Sequence, residues 1–156
     1  MDRKNEKEIL KQYLGRYYNS RRKKIQLEYR LQSILEEMNA PIRGTRYSPV
    51  NRRAGSERTG AASFVYRMDE IETRIGNQKK VIEKDLLKVM DIMDFLKEDS
   101  LERMILELRF IDCKTWKTIE KEMHLSRRAC FNYQDKALEA LLGFKKVRCV
   151  LEEYRK

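Results

Sequence analysis

Two stripes of apolar residues at helical spacing occupy the first part of the chain, and shorter helical patterns follow. Residues 5–38 read as one long helix in which Tyr13, Tyr17, Ser20, Lys24, Leu27, Leu31, Ile34 and Met38 step by four and three, a heptad seam. Ser20 and Lys24 make the middle of that seam polar, inside the run Arg21-Arg22-Lys23-Lys24. That predicts either a break in the buried face or a basic contact surface. Gly15 weakens the helix by roughly 1 kcal/mol relative to Ala without forbidding it. Residues 64–98 read as a second long helix, with Met68, Ile71, Ile75, Gln78, Ile82, Asp85, Val89, Ile92 and Leu96 as its stripe. Neither helix can bury its stripe alone. The two can pair with each other as an antiparallel coiled coil, or each can pair across a dimer.

From Ser100 to Phe144 the pattern changes to short amphipathic helices that meet at the tight turn Met123-His124-Leu125. Ser126 is a good N-cap for the last of them, because its hydroxyl can accept an orphan backbone N–H. After it, Cys130, Tyr133, Ala137 and Leu141 recur at helical spacing and predict a buried face. The opposite face carries Arg127, Arg128, Phe131, Asn132 and Asp135. It suits a DNA major groove: arginine can fork onto guanine, asparagine onto adenine, and an apolar ring can touch a thymine methyl. The tail, residues 144–156, places Phe144, Val147, Val150, Leu151 and Tyr154 at helical spacing. It can extend the preceding helix or, with a break at Gly143, fold back for packing.

The residues Leu108-Arg109-Phe110, Lys114-Thr115-Trp116-Lys117-Thr118-Ile119, Leu125-Ser126-Arg127-Arg128 and Lys136-Ala137-Leu138 resemble region four of bacterial sigma factors and the C-terminal domain of small phage regulators. The resemblance implies a helix-turn-helix whose DNA-facing positions are Arg127, Arg128, Ala129, Phe131 and Asn132, the same face that the periodicity exposes. Three residues depart from the pattern. Cys113 and His124 stand where glycine is usual, and Glu120 stands where a small alanine is usual. His124 can adopt positive φ at some cost. Glu120 must turn to solvent or pair with a basic neighbour such as Lys121 or Arg128.

Composition sharpens this picture at one place. Residues 40–62 hold both prolines, Pro41 and Pro49, together with Gly44, Gly55 and Gly60, and read as a loop. They also hold five arginines, Arg43, Arg46, Arg52, Arg53 and Arg58, with no lysine and Glu57 as the one acid. A guanidinium fork matches phosphate oxygens, and a loop of this length is functional or disordered more often than not. It is read either as a nucleic-acid or polymerase contact or as a solvated connection. The net charge of +10 is concentrated in residues 1–62, with 15 basic and 7 acidic side chains, and again in residues 100–156, with 13 and 9. Such asymmetry is read as an electrostatic footprint for nucleic acid or, more simply, as a device for solubility.

The order of elements also resembles small phage proteins related to the ArpU and RinA late-gene regulators: long helix, Gly/Ser/Arg-rich loop, second long helix, C-terminal sigma-region-four-like domain. The expectation is an all-α protein. Residues 1–98 would form a helical hairpin or dimer element with the loop at 40–62. Residues 99–156 would form the helix-turn-helix domain with a C-terminal helix. The expected function is sequence-specific transcription regulation, as an activator of phage or prophage late genes. Ser126, Arg127, Arg128, Ala129, Phe131 and Asn132 would sit at DNA, with Lys117 and Lys136 on phosphates. Expected partners are double-stranded DNA, RNA polymerase and a second copy of the chain, in the cytoplasm of a bacterial host at its nucleoid. The alternatives are a small-terminase-like packaging protein, which would form large rings, and a coiled-coil interaction module.

Little points elsewhere. His124 is the single histidine, and no P-loop, GxGxxG or nucleophile elbow is present, so no enzyme is expected. Cys113, Cys130 and Cys149 form no CxxC pair and, with His124, match no common zinc spacing, so neither metal nor cofactor is expected and free thiols in a reducing compartment are. No apolar run reaches the roughly 18–20 residues of a membrane span, and no charged n-region followed by an apolar h-region opens the sequence, so no secretory signal is expected.

Overall fold

A computed structural model describes residues 2–39 and 57–156, for residues 57–61 the backbone alone. The described residues are all-helical: α1 (Arg3–Leu14), α2 (Arg16–Asn39), α3 (Glu57–Met93), α4 (Leu101–Leu106), a π-helical turn (Glu107–Ile111), α5 (Trp116–Met123), α6 (Arg127–Leu142) and α7 (Lys145–Arg155). No helix among them is long and apolar enough to cross a membrane.

The long first helix of the sequence reading is interrupted at Gly15, where φ is −72° and ψ −6°. Backbone bonds from Gly15 N–H to the Lys11 carbonyl (2.9 Å) and from Asn19 N–H to the Gly15 carbonyl (3.1 Å) carry the ladder across the interruption. The second long helix is displaced from its expected span. It starts at Glu57, so residues 57–62 are helical rather than loop; Ala61 and Ala62 are strong helix formers and continue the helix past its apolar stripe. It ends at Met93, and Leu96 lies beyond it in a tighter turn, its N–H bonded to the Met93 carbonyl at 2.9 Å.

The chain divides into two compact units, Met1–Arg21 with Val81–Lys156, and Arg22–Lys80. The 98/99 boundary expected from sequence marks the approach to α4, whereas this division runs through α2 and α3. In the unit formed by Arg22–Lys80, Ile34 is buried and Leu27, Leu31, Met68, Ile71 and Ile75 are half-buried, so the heptad stripe is the part withdrawn from solvent. Met38, the last stripe position of α2, is exposed.

The other unit holds the main core. Leu10, Tyr13 and Leu14 of α1 share one apolar cluster with Val89, Ile92 and Met93 of α3, Leu106, Phe110, Leu138 and Leu141, and Val147 and Leu151 of α7. Each fully buried Leu or Ile contributes roughly 1.5–3 kcal/mol of transfer free energy. The polar seam position Ser20 is buried, not a break: its hydroxyl donates to Asp85, the polar seam position of α3, and Arg16 Nε lies 3.1 Å from the same carboxylate. The Arg16 guanidinium also lies over the Tyr13 ring (4.5 Å) and the Tyr154 ring (5.3 Å), so the charged layer is enclosed by aromatic surface.

The tail folds as a separate helix. Gly143 keeps right-handed helical angles (φ −66°, ψ −25°), and the chain turns at Phe144, which is extended (φ −84°, ψ 124°). The break therefore does not use a left-handed glycine cap. Val147 and Leu151 fill the core beside α1 and α6.

Candidate nucleic-acid interface

Local chemistry sets the start of each short helix. Ser100 caps α4, accepting from Arg103 N–H at 3.2 Å. Arg103 then ties the entry together, with Nε 2.7 Å from Glu107, Nη2 3.0 Å from Asp94 and Nη1 donating to the Leu96 carbonyl at 3.2 Å. The helix widens into the π turn at Glu107–Ile111, where Asp112 N–H reaches the Glu107 carbonyl at 2.9 Å. Cys113 follows at φ 54°, and Thr115 caps α5 by accepting from Thr118 N–H at 3.3 Å.

α5 ends at His124, left-handed at φ 53° and ψ 40°, with its N–H on the Glu120 carbonyl. Leu125 N–H reaches the same carbonyl at 3.2 Å. Ser126 caps α6, accepting from Ala129 N–H at 3.2 Å. Cys113 and His124, the two positions where the sequence lacks an expected glycine, are the two non-glycine residues of positive φ among the described residues. The turn chemistry is thus met at a strain cost.

α6 packs against α4, α5, α1 and α7, and its buried residues are Cys130, Gln134, Ala137, Leu138 and Leu141. Gln134 was not foreseen there. Tyr133, expected in the buried face, is half-buried, with the Lys136 ammonium 5.5 Å from its ring centre. Burial pushes the Cys130 thiol pKa up, and the Glu120 charge adds to the shift.

Arg127, Arg128 and Asn132 are exposed on the first two turns of α6, beside the Ser126 cap; Ala129 is half-buried. Lys117 is exposed in the first turn of α5 and Lys136 is exposed farther along α6. Phe131 is also exposed, but its ring packs on Trp116, centroids 4.7 Å apart and planes at 50°. Arg109 covers Trp116 at 5.2 Å and anchors itself by donating to the Lys114 carbonyl at 3.0 Å. Phe131 is therefore the exposed member of a packed aromatic pair. Glu120 pairs with Arg127, Nε to Oε1 at 3.4 Å, and not with Lys121 or Arg128.

Asp135, expected on the groove-facing surface, is held instead by α1. Lys7 Nζ lies 2.8 Å from Asp135 and 2.7 Å from Glu139. Those two hydrogen bonds raise the Lys7 pKa, Asp135 first, against a smaller effect of burial. Nothing in the periodicity of either helix signals this pairing across the chain.

Arg43, Arg46, Arg52 and Arg53 lie outside the described residues, as does the side chain of Arg58, whose backbone belongs to the first turn of α3. Among the described residues no three His, Cys, Asp or Glu side chains come together as metal ligands would. Comparison with known proteins gives no match: no protein family, no curated protein and no solved structure is similar to the chain.

Proposed function

We propose that this protein is a sequence-specific DNA-binding regulator of transcription whose α5 and α6 act as a helix-turn-helix, with the N-terminal half of α6 in the major groove. The observation that carries the reading is the clustering of Ser126, Arg127, Arg128 and Asn132. They lie at the capped, exposed start of a helix whose other face is buried. Helices that read DNA through the major groove present their N-terminal residues to base edges. Arg127 and Arg128 are the guanine-reading residues and Asn132 the adenine-reading one. Lys117 and Lys136 contact phosphates. The helix dipole and the free N–H groups of the first turn of α6 favour a phosphate at the same end. The sequence resemblance to sigma region four and to phage late-gene regulators, carried by Leu108-Arg109-Phe110 and Leu125-Ser126-Arg127-Arg128, supports regulation at promoters, with RNA polymerase as the proposed protein partner.

The test is selection of genomic or phage DNA fragments on the purified protein, sequenced after washing at low and moderate salt. Enrichment of one short motif upstream of a gene block is the expected result. Uniform enrichment that disappears as salt rises would show charge-driven binding without reading and would overturn the proposal. Enrichment at a packaging site rather than a promoter would assign the same helix to DNA packaging.

A further inference from the structure

The exposed stripe of α6 changes sign along its length. Arg128, Asn132, Asp135 and Glu139 fall at i, i+4, i+7 and i+11, one face of the helix. Its first half is the basic and amide surface assigned above to DNA. Its second half carries two carboxylates that begin about 10 Å from Arg128 along the axis, taking ~1.5 Å per residue. That separation is about one Debye length at 0.1 M salt. Two bare negative charges there would repel the phosphates flanking the bases that Arg128 reads.

α1 supplies the counter-charge. The Lys7 side chain is 17% exposed while Asp135 and Glu139 are 57% and 62% exposed, so a withdrawn ammonium sits under two carboxylates that face solvent. Leu10 and Leu14, one and two turns farther along α1, are fully buried in the core cluster and fix the helix in place. The ammonium is thus delivered by a rigid element, unlike a typical surface lysine.

Resting on the DNA-binding reading, we infer that Lys7 is a positioning residue of the DNA interface: its one positive charge, shared between Asp135 and Glu139, offsets half of their negative charge so that the acidic half of α6 can approach the DNA backbone. α1 is then part of the DNA-binding unit, although more than 100 residues of sequence separate Lys7 from its partners.

The experiment uses the full chain and a fluorescein-labelled duplex of random sequence, ~20 base pairs or two helical turns long, read by anisotropy across a salt series. Lys7→Met is expected to weaken binding roughly three- to tenfold near 0.1 M salt, with the difference shrinking as salt rises. The triple variant Lys7→Met, Asp135→Asn, Glu139→Gln removes both carboxylates together with the ammonium and is expected to bind at least as tightly as wild type. It also serves if the single variant does not fold. A triple variant that folds and still binds weakly would make Lys7 a packing residue and overturn the inference, as would equal binding by wild type and Lys7→Met. Absence of wild-type binding both to this duplex at low salt and to any selected genomic fragment would overturn the DNA-binding reading itself, and the inference with it.

Discussion

Glu120 and Arg127 face each other across the turn between α5 and α6, with Arg127 Nε 3.4 Å from Glu120 Oε1. Glu120 occupies the position where a small residue would let the two helices approach, and its carboxylate is accommodated by turning toward the first residue of α6. Arg127 is therefore already engaged by an intramolecular carboxylate, which any external anion binding at that guanidinium must displace.

Replacing Glu120 by Gln should release Arg127. The pair is largely solvent-exposed on the arginine side, so stability should change by less than about 1 kcal/mol. DNA affinity should rise severalfold while discrimination between sequences falls, because non-specific phosphate contact gains most from the freed charge. Anisotropy titrations against specific and random duplexes measure both. An unchanged affinity would remove Arg127 from the interface.

Arg128 carries the opposite expectation. It is exposed and makes none of the ion pairs seen among the described side chains. Arg128→Ala should cost roughly 1–3 kcal/mol of binding at the selected motif and relax preference at one base position. Equal loss across all sequences would make it a phosphate contact, and no loss would displace α6 from the groove.

His124 holds left-handed angles at the end of α5, a conformation that costs L-residues about 1–2 kcal/mol and glycine almost nothing. Glycine also adds entropy to the unfolded chain, so His124→Gly should stabilise by roughly 0.5–1 kcal/mol and raise Tm by about 1–4 °C. A lower Tm in a thermal melt would mean that the imidazole makes a compensating contact.

Leu14 is fully buried in α1. Leu14→Ala should destabilise by about 2–5 kcal/mol, and the loss should be visible at Trp116, the single tryptophan. Urea unfolding followed by tryptophan fluorescence should show a lowered midpoint. An unshifted Trp116 transition would mean that α1 unfolds independently of α5 and α6.

The three thiols should separate by access. Cys149 is exposed, Cys113 half-buried and Cys130 buried. A disulfide reagent should label Cys149 first, Cys113 more slowly and Cys130 only on unfolding. The Cys130 pKa is raised in the folded protein by burial, so the folded state holds that proton more tightly than the unfolded chain. Its contribution is complete below the ordinary thiol value of about 8.5 and is lost as pH rises through the folded value. Denaturant midpoints should fall above that pH more steeply in wild type than in Cys130→Ala; equal slopes would show that the thiol is not protected.

Features set by neighbouring residues were legible in the sequence. The Ser126 cap, the turn at His124, the exposure of Arg127, Arg128 and Asn132, and the withdrawal of Leu27, Leu31, Ile34, Ile71 and Ile75 depend on spacing along one helix or on one residue's chemistry. The all-helical class follows from the same periodicities. Helix ends were less legible, because Ala61 and Ala62 extend α3 without belonging to its stripe and Leu96 belongs to the stripe without being helical.

Tertiary structure decided what each stripe meets. A heptad seam says that Ser20 and Asp85 are turned inward, yet only the pairing of α2 with α3 gives each polar group the other as partner and adds Arg16 to the layer. The pattern of α6 says that Asp135 is exposed, yet only the seating of α1 in the core puts Lys7 on it. Periodicity selects a face because every residue of a helix shares one axis, whereas the partner of that face is chosen by shape and charge summed over distant segments, a quantity that no local stretch of this chain contains.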